Sequence, residues 1–164
     1  MKHRVRAWAS AAVLALVSSV GNAGPSEDAQ RLAEYCDIGD APSCTALGAA
    51  YQAGRGVPAD VGRAAALFQK ACAAKDRAAC GSLGTLYQRG EGVERDLARA
   101  RDLYRDACRA GDGTACANLG VLYSEGLAVE QNADRAATLF KRACSQRYLG
   151  GCSNLARAFE LGRG

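Results

Sequence analysis

Eight cysteines stand at positions 36, 44, 72, 80, 108, 116, 144 and 152, in four pairs that each enclose seven residues. Such thiols can hold a metal, run redox chemistry, act as nucleophiles or close structural disulfides. Zinc needs four convergent ligands, usually from C-x2-4-C spacings or added histidines. The seven-residue gap does not match, and the one histidine, His3, lies in an N-terminal segment with the character of a leader. Redox pairs are more often C-x-x-C, and four identical pairs at a constant interval are odd for a catalyst. An even count, regular spacing and an export signal together describe a disulfide framework. No metal and no cofactor is expected.

The export signal is read from residues 1–23. Lys2, Arg4 and Arg6 make a basic start, the run "AWASAAVLALVSSV" follows at 7–20, and Gly21 and Ala23 supply small residues before a cleavage point. That order is the order of a secretory signal peptide, and the run is shorter than the roughly 20 apolar residues that span a bilayer. The expected mature protein is Gly24–Gly164, periplasmic or secreted, with no lipid or membrane anchor. Of 21 Lys and Arg, three lie in the leader, which leaves 18 against 17 Asp and Glu. A nearly neutral chain has little to offer nucleic acid or an acidic membrane.

The elements that position the cysteines repeat every 36 residues. "CTALGAAYQAGRGV" (44–57) matches "CGSLGTLYQRGEGV" (80–93) and "CANLGVLYSEGLAV" (116–129), with "CSNLARAFELGRG" (152–164) as a final copy. Between them lie "DVGRAAALFQKAC", "DLARARDLYRDAC" and "NADRAATLFKRAC". A fixed period of this size signals a solenoid of stacked supersecondary units. Each period reads as two helices. Leu83 and Tyr87 make one apolar stripe, and Gly84 beside them suggests close approach of a neighbouring helix. Gly90 and Gly92 end that helix, Val93 returns to the core, and Asp96 caps the next helix, as Asp60 and Asn132 do in their copies. Residues 25–36 read as a less regular second helix that caps the array. No segment alternates with the period of a half-buried strand, so the fold class is all-α.

Two regular pairings fit the repeat. Linking 44–72, 80–108 and 116–144 orphans Cys36 and Cys152; linking 36–44, 72–80, 108–116 and 144–152 uses all eight. The second is expected, each first Cys ending one helix and each second Cys opening the next, so that the bond clamps an αα-corner. Closing each short loop contributes roughly 2–3 kcal/mol in the chain-entropy model. The units so counted are about 26–53, 60–89, 96–125 and 132–161, and four complete pairs leave nothing essential truncated at Gly164.

The pattern L-G-x-x-Y-x-x-G-x-G-V, then D-x-x-R-A and an aromatic before Ala, resembles the Sel1-like repeat, a relative of the tetratricopeptide repeat. With the cysteines and "CANLG" added, residues 26–164 are similar to the secreted cysteine-rich Sel1 proteins of the Hcp type. In this frame the repeats run about 44–79, 80–115 and 116–151, with a partial copy at 152–164. Ala128, Ala156, Phe159 and Arg147–Tyr148 depart from the pattern. The resemblance implies a right-handed superhelix of antiparallel helix pairs that binds a protein or peptide. It also implies, as the alternative, penicillin binding with weak β-lactamase activity. That chemistry in its serine form needs S-x-x-K, and no serine here is followed by Lys at that spacing.

No catalytic residue is assigned. The candidate ligand face lies on the first helix of each unit: Ser82, Leu86 and Arg89; Asn118, Leu122 and Glu125; Asn154, Ala158 and Leu161. Its polar members Ser82, Arg89, Asn118, Glu125 and Asn154 could hydrogen-bond an extended peptide or a cell-wall-derived, muropeptide-like ligand. The competing expectation is that Asn118 and Asn154 cap helix starts and that Leu86 and Leu122 pack between repeats. Arg89, Arg99, Arg105 and Arg109 read as solvated surface. A monomer is expected.

Overall fold

Asp, Asn or Ser before an apolar-periodic run is the signal that starts nearly every helix in the chain. The computed structural model describes residues 25–160 and residue 162; residues 1–24, 161, 163 and 164, and with them the expected leader at 1–23, lie outside the described residues. Among the described residues the order is α1 (Glu27–Asp37), α2 (Ala41–Ala53), α3 (Val61–Ala73), α4 (Arg77–Arg89), α5 (Leu97–Arg109), α6 (Gly113–Glu125), α7 (Ala133–Ser145) and α8 (Leu149–Glu160), with no strand. The all-α solenoid is therefore the fold.

Helices alternate between two kinds of connection. Short corners join α1 to α2, α3 to α4, α5 to α6 and α7 to α8, and each is closed by a disulfide: Cys36–Cys44, Cys72–Cys80, Cys108–Cys116 and Cys144–Cys152. Cα–Cα distances of 4.6–4.7 Å lie in the ordinary disulfide range. The longer loops join α2 to α3 and α4 to α5 through G-x-G-V, and α6 to α7 through Gly126-Leu127-Ala128-Val129.

The corners differ from the sequence expectation in one respect. The second cysteine does not open its helix, because the helix has already begun three residues earlier. Asp40, Asp76 and Asp112 accept a hydrogen bond from the backbone N–H of Ser43, Ala79 and Ala115 at 2.9, 2.8 and 2.7 Å. A charged cap satisfies N–H groups that would otherwise have no partner, and so pulls the helix start back to the residue after the aspartate. The cystine thus joins the last turn of one helix to the first turn of the next. In the fourth corner Tyr148 stands where the other three carry Asp, and α8 begins without that cap.

At the loops the expected caps are in place. Asp60, Asp96 and Asn132 accept from the N–H of Arg63, Arg99 and Arg135 at 2.9, 2.9 and 2.8 Å. Gly54, Gly90 and Gly126 close α2, α4 and α6 in the left-handed conformation that glycine adopts without a Cβ penalty.

The core runs lengthwise through the stack. Its largest fully sealed members are Tyr104, Phe68, Leu86 and Leu122, surrounded by small residues such as Ala64, Ala100 and Ala136. Small residues on facing helices let backbones approach closely, and Gly48, Gly84 and Gly120 take this furthest. A Cβ at these positions would meet the ring of Phe68, Tyr104 or Phe140 at 2.8, 2.7 and 2.6 Å. The helix glycine is a seat for the aromatic of the following helix.

Even-numbered helices approach one another closely, α4 to α6 and α6 to α8, whereas successive odd-numbered helices lie further apart along their backbones. The stack therefore curves with α2, α4, α6 and α8 on its inner side. Basic side chains tie successive units on the outer side: Lys70 donates to the Cys36 carbonyl at 2.7 Å, and Arg142 to the Arg109 carbonyl at 3.2 Å. Both cations meet the negative end of a helix dipole.

Candidate binding groove

The inner face carries the polar residues singled out from the sequence, but it is not one continuous stripe. Arg89 and Glu125 are exposed; Ser82, Asn118 and Asn154 are half-buried. Leu86 and Leu122 have no exposed surface at all and belong to the core. They cannot meet a ligand, because each is wedged where successive helices close on each other. Leu161 lies outside the described residues. Asn118 and Asn154 do not cap their helices: Asp112 takes that role in α6, and Asn154 sits in the interior of α8.

In the middle unit, the repeat 80–115 that lies between the full repeats 44–79 and 116–151, the floor of this face is filled by a polar network. The Tyr104 hydroxyl donates to Gln88 Oε1 at 2.7 Å and lies 3.2 Å from Thr85 Oγ1. Burial pushes the Tyr104 hydroxyl above the ordinary tyrosine range, opposed by its bond to Thr85, the Arg89 charge and the amide of Asn118 beside it. A neutral, hydrogen-bonded phenol is thus fixed in the packed interior.

One unit further along, the floor opens. A cavity of about 570 Å³ lies between α6, α7 and α8, and Glu125, Asn154 and Ala158 from the predicted face line it. Its other walls include Val121, Ser124, Ala136, Phe140 and Arg157. Ser82, Arg89 and Asn118 are not among its lining residues.

Sequence reasoning missed a second periodic feature. Arg63, Arg99 and Arg135 lay their guanidinium groups over the rings of Tyr51, Tyr87 and Tyr123, at 5.6, 4.8 and 5.6 Å from the ring centroids. Arg99 is therefore not merely solvated surface; its planar cation covers an aromatic face. The signal was available, since Tyr of L-G-x-x-Y and Arg of D-x-x-R keep a constant twelve-residue separation. In the fourth unit Phe159 replaces the tyrosine and is 59% exposed.

All eight thiols are in disulfides, so none is available as nucleophile or ligand. No described helix is long and apolar enough to cross a membrane.

The Sel1 repeat model matches residues 41–76, 77–112 and 113–148, each match beginning at the first residue of α2, α4 or α6. Solved structures give the same likeness. The protective antigen c5321 of uropathogenic Escherichia coli strains, described as displaying an SLR fold, is 30% identical over 82% of this chain, with a TM-score of 0.77. A Sel1 repeat protein from Oxalobacter formigenes is 28% identical over 84% of the chain, TM-score 0.76. Helicobacter pylori cysteine rich protein B is 25% identical over 76% of this chain and 89% of its own, TM-score 0.61. The present chain spans 29% of the E. coli protein and 58% of the Oxalobacter protein. None of the curated proteins matches it.

Proposed function

We propose, from the premise that this chain belongs to the Sel1 repeat family, that it is an exported, disulfide-stapled scaffold binding a protein or peptide along its inner face. Sel1 repeat proteins are typically scaffolds for protein–protein interaction. The observation that carries the reading is the inner face itself: α4, α6 and α8 side by side, with half-buried amide and hydroxyl groups above a packed core and one open cavity. A rigid row of helices presents such groups with little entropy left to lose on binding.

Export is supported by chemistry rather than by address. Four cystines persist in oxidising compartments and are rare where glutathione keeps thiols reduced. The basic, then apolar, then small-residue order of residues 1–23 agrees with that compartment. N-terminal sequencing of the protein recovered outside the cytoplasm should begin at Gly24. An intact Met1 would sink the export reading.

For the scaffold, photocrosslinkers placed one at a time at Asn118 and Glu125 on the inner face should give discrete adducts in the native compartment. The same groups at Arg105 and Lys141, exposed on the outer helices α5 and α7, should not. Adducts of equal yield from both sides, or from neither, would refute an inner-face interaction.

A further inference from the structure

The middle and last units of the inner face differ at a small set of positions one period apart. Where the middle unit has Tyr104, Gln88 and Thr85 in a hydrogen-bonded floor, the last unit has Phe140, Ser124 and Val121. The hydroxyl and its amide acceptor are both gone, and the Ser124 hydroxyl turns back to donate to its own helix at the Val121 carbonyl, 3.0 Å away. Where Leu86 and Leu122 fill the space between helices, Ala158 leaves it empty. These replacements coincide with the cavity of about 570 Å³ between α6, α7 and α8. That volume lies within the range of roughly 300–1,000 Å³ usual for ligand pockets.

Ser124 and Gln131 on its walls are bonded within the protein, Gln131 to the Ser124 carbonyl at 2.7 Å, but three other polar side chains there are free to meet a ligand. Asn154 corresponds to Asn118, which sits beside the Tyr104 hydroxyl; Asn154 instead shares its cavity with Phe140 and makes no hydrogen bond to another described residue. Glu125 on α6 and Arg157 on α8 stand on its walls, and neither forms an ion pair with a described residue. The pocket thus offers an apolar floor, one half-buried amide with no hydrogen bond to a described residue, and one charge of each sign.

Resting on the scaffold reading and deepening it, we infer that the α6–α7–α8 groove is the specificity pocket for an extended peptide whose leucine- or phenylalanine-sized side chain lies between an acidic and a basic residue. The apolar side chain packs against Phe140 and Ala158. The Asn154 amide exchanges hydrogen bonds with the peptide backbone, Arg157 meets the acidic neighbour and Glu125 the basic one. A peptide backbone needs both donors and acceptors when it leaves water, and a primary amide supplies both.

The probe is the blocked tripeptide acetyl-Asp-Phe-Lys-amide, with acetyl-Asp-Gly-Lys-amide as its control, titrated into the isotope-labelled, oxidised protein and followed by NMR. Saturable shifts confined to α6, α7 and α8, seen with the Phe probe and absent with the Gly control, are expected. The variant A158L restores the leucine that Leu86 and Leu122 supply at the same place in the earlier repeats, so it is compatible with the fold; circular dichroism checks this. Filling the pocket with A158L should weaken binding of the Phe probe by about tenfold or more. Equal shifts from both probes, no saturable shift, or binding untouched by A158L would each overturn the inference. So would the same shifts on raising protein concentration without peptide, which would assign the groove to a second copy of this chain. Any of those failures leaves the scaffold reading standing, since that reading is decided by the inner-face crosslinks.

Discussion

Replacing Gly84 with alanine sets two effects of opposite sign against each other. In a helix interior, alanine is favoured over glycine by about 1 kcal/mol, so helix propensity alone predicts a more stable protein. The structure predicts the reverse. The added Cβ would lie 2.7 Å from Tyr104 Cε1 and 2.8 Å from Cδ1, whereas carbon atoms pack at about 3.5–4.0 Å. The ring has to retreat by about 1 Å, and it has nowhere to go: Tyr104 has 0% exposure, and its hydroxyl is held to Gln88 and Thr85. Overpacking costs about 1–3 kcal/mol, and a strained or broken hydrogen bond adds about 1 kcal/mol each. Set against the propensity gain, G84A should lose about 1–3 kcal/mol, or roughly 3–10 °C in Tm for a domain of this size. Denaturant unfolding of the oxidised protein, read by far-UV circular dichroism, measures it. In a Y104L background the ring is gone, and the same G84A change should become neutral or favourable. G62A, at an exposed site in the first turn of α3 where the nearest atom is Asp60 Oδ1 at 3.4 Å, should not destabilise. If G84A stabilises the wild-type protein, the glycine is not a seat for the aromatic and the packing argument fails.

Three further outcomes follow from local geometry. Ala128 has φ 56° where Gly56 and Gly92 stand in the preceding loops; a left-handed alanine costs about 1–2 kcal/mol, partly offset by the greater unfolded-state freedom of glycine. A128G should therefore stabilise by about 0.5–1 kcal/mol, and an unchanged denaturation midpoint would contradict this. Both Cys144 and Cys152 are half-buried, whereas Cys108 and Cys116 are buried, so graded reduction with alkylation and mass mapping should label 144 and 152 first; the opposite order would refute the accessibility argument. The hydrogen bond and charge of Arg101, with Arg105 nearby, hold the Asp102 carboxyl below the usual aspartate range. A depressed folded value means that this contribution is present above the ordinary aspartate pKa and lost as pH falls through the folded one. It is worth well under 1 kcal/mol at so exposed a pair, and an NMR titration placing Asp102 at or above the ordinary value would end the assignment.

The placement of residues was legible wherever the sequence repeats a local rule. Asp60, Asp96 and Asn132 announce helix starts through short-range hydrogen bonds, and Gly90 announces a helix end through a backbone angle that only glycine takes freely. The aspartates at 40, 76 and 112 obey the same rule, but they stand inside the cysteine loops, where the cysteines themselves drew the helix boundary later than it lies. Regular spacing paired the eight cysteines because a solenoid makes each neighbourhood equivalent to the next.

What could not be read from one period at a time is which equivalent positions cease to be equivalent in space. Leu122 and Ala158 share a register, yet one is sealed in the core and the other borders a cavity. Tyr104 and Phe140 differ by one hydroxyl, whose effect depends on Gln88, Thr85 and Asn118, brought to it from the flanking inner helices α4 and α6. By itself the sequence determined the repeat, the helices and the framework of cystines, because those follow from contacts between residues close along the chain. Only the tertiary structure decided where the inner face is closed and where it is open, because that turns on side-chain volume and hydrogen bonds summed across three helices at once.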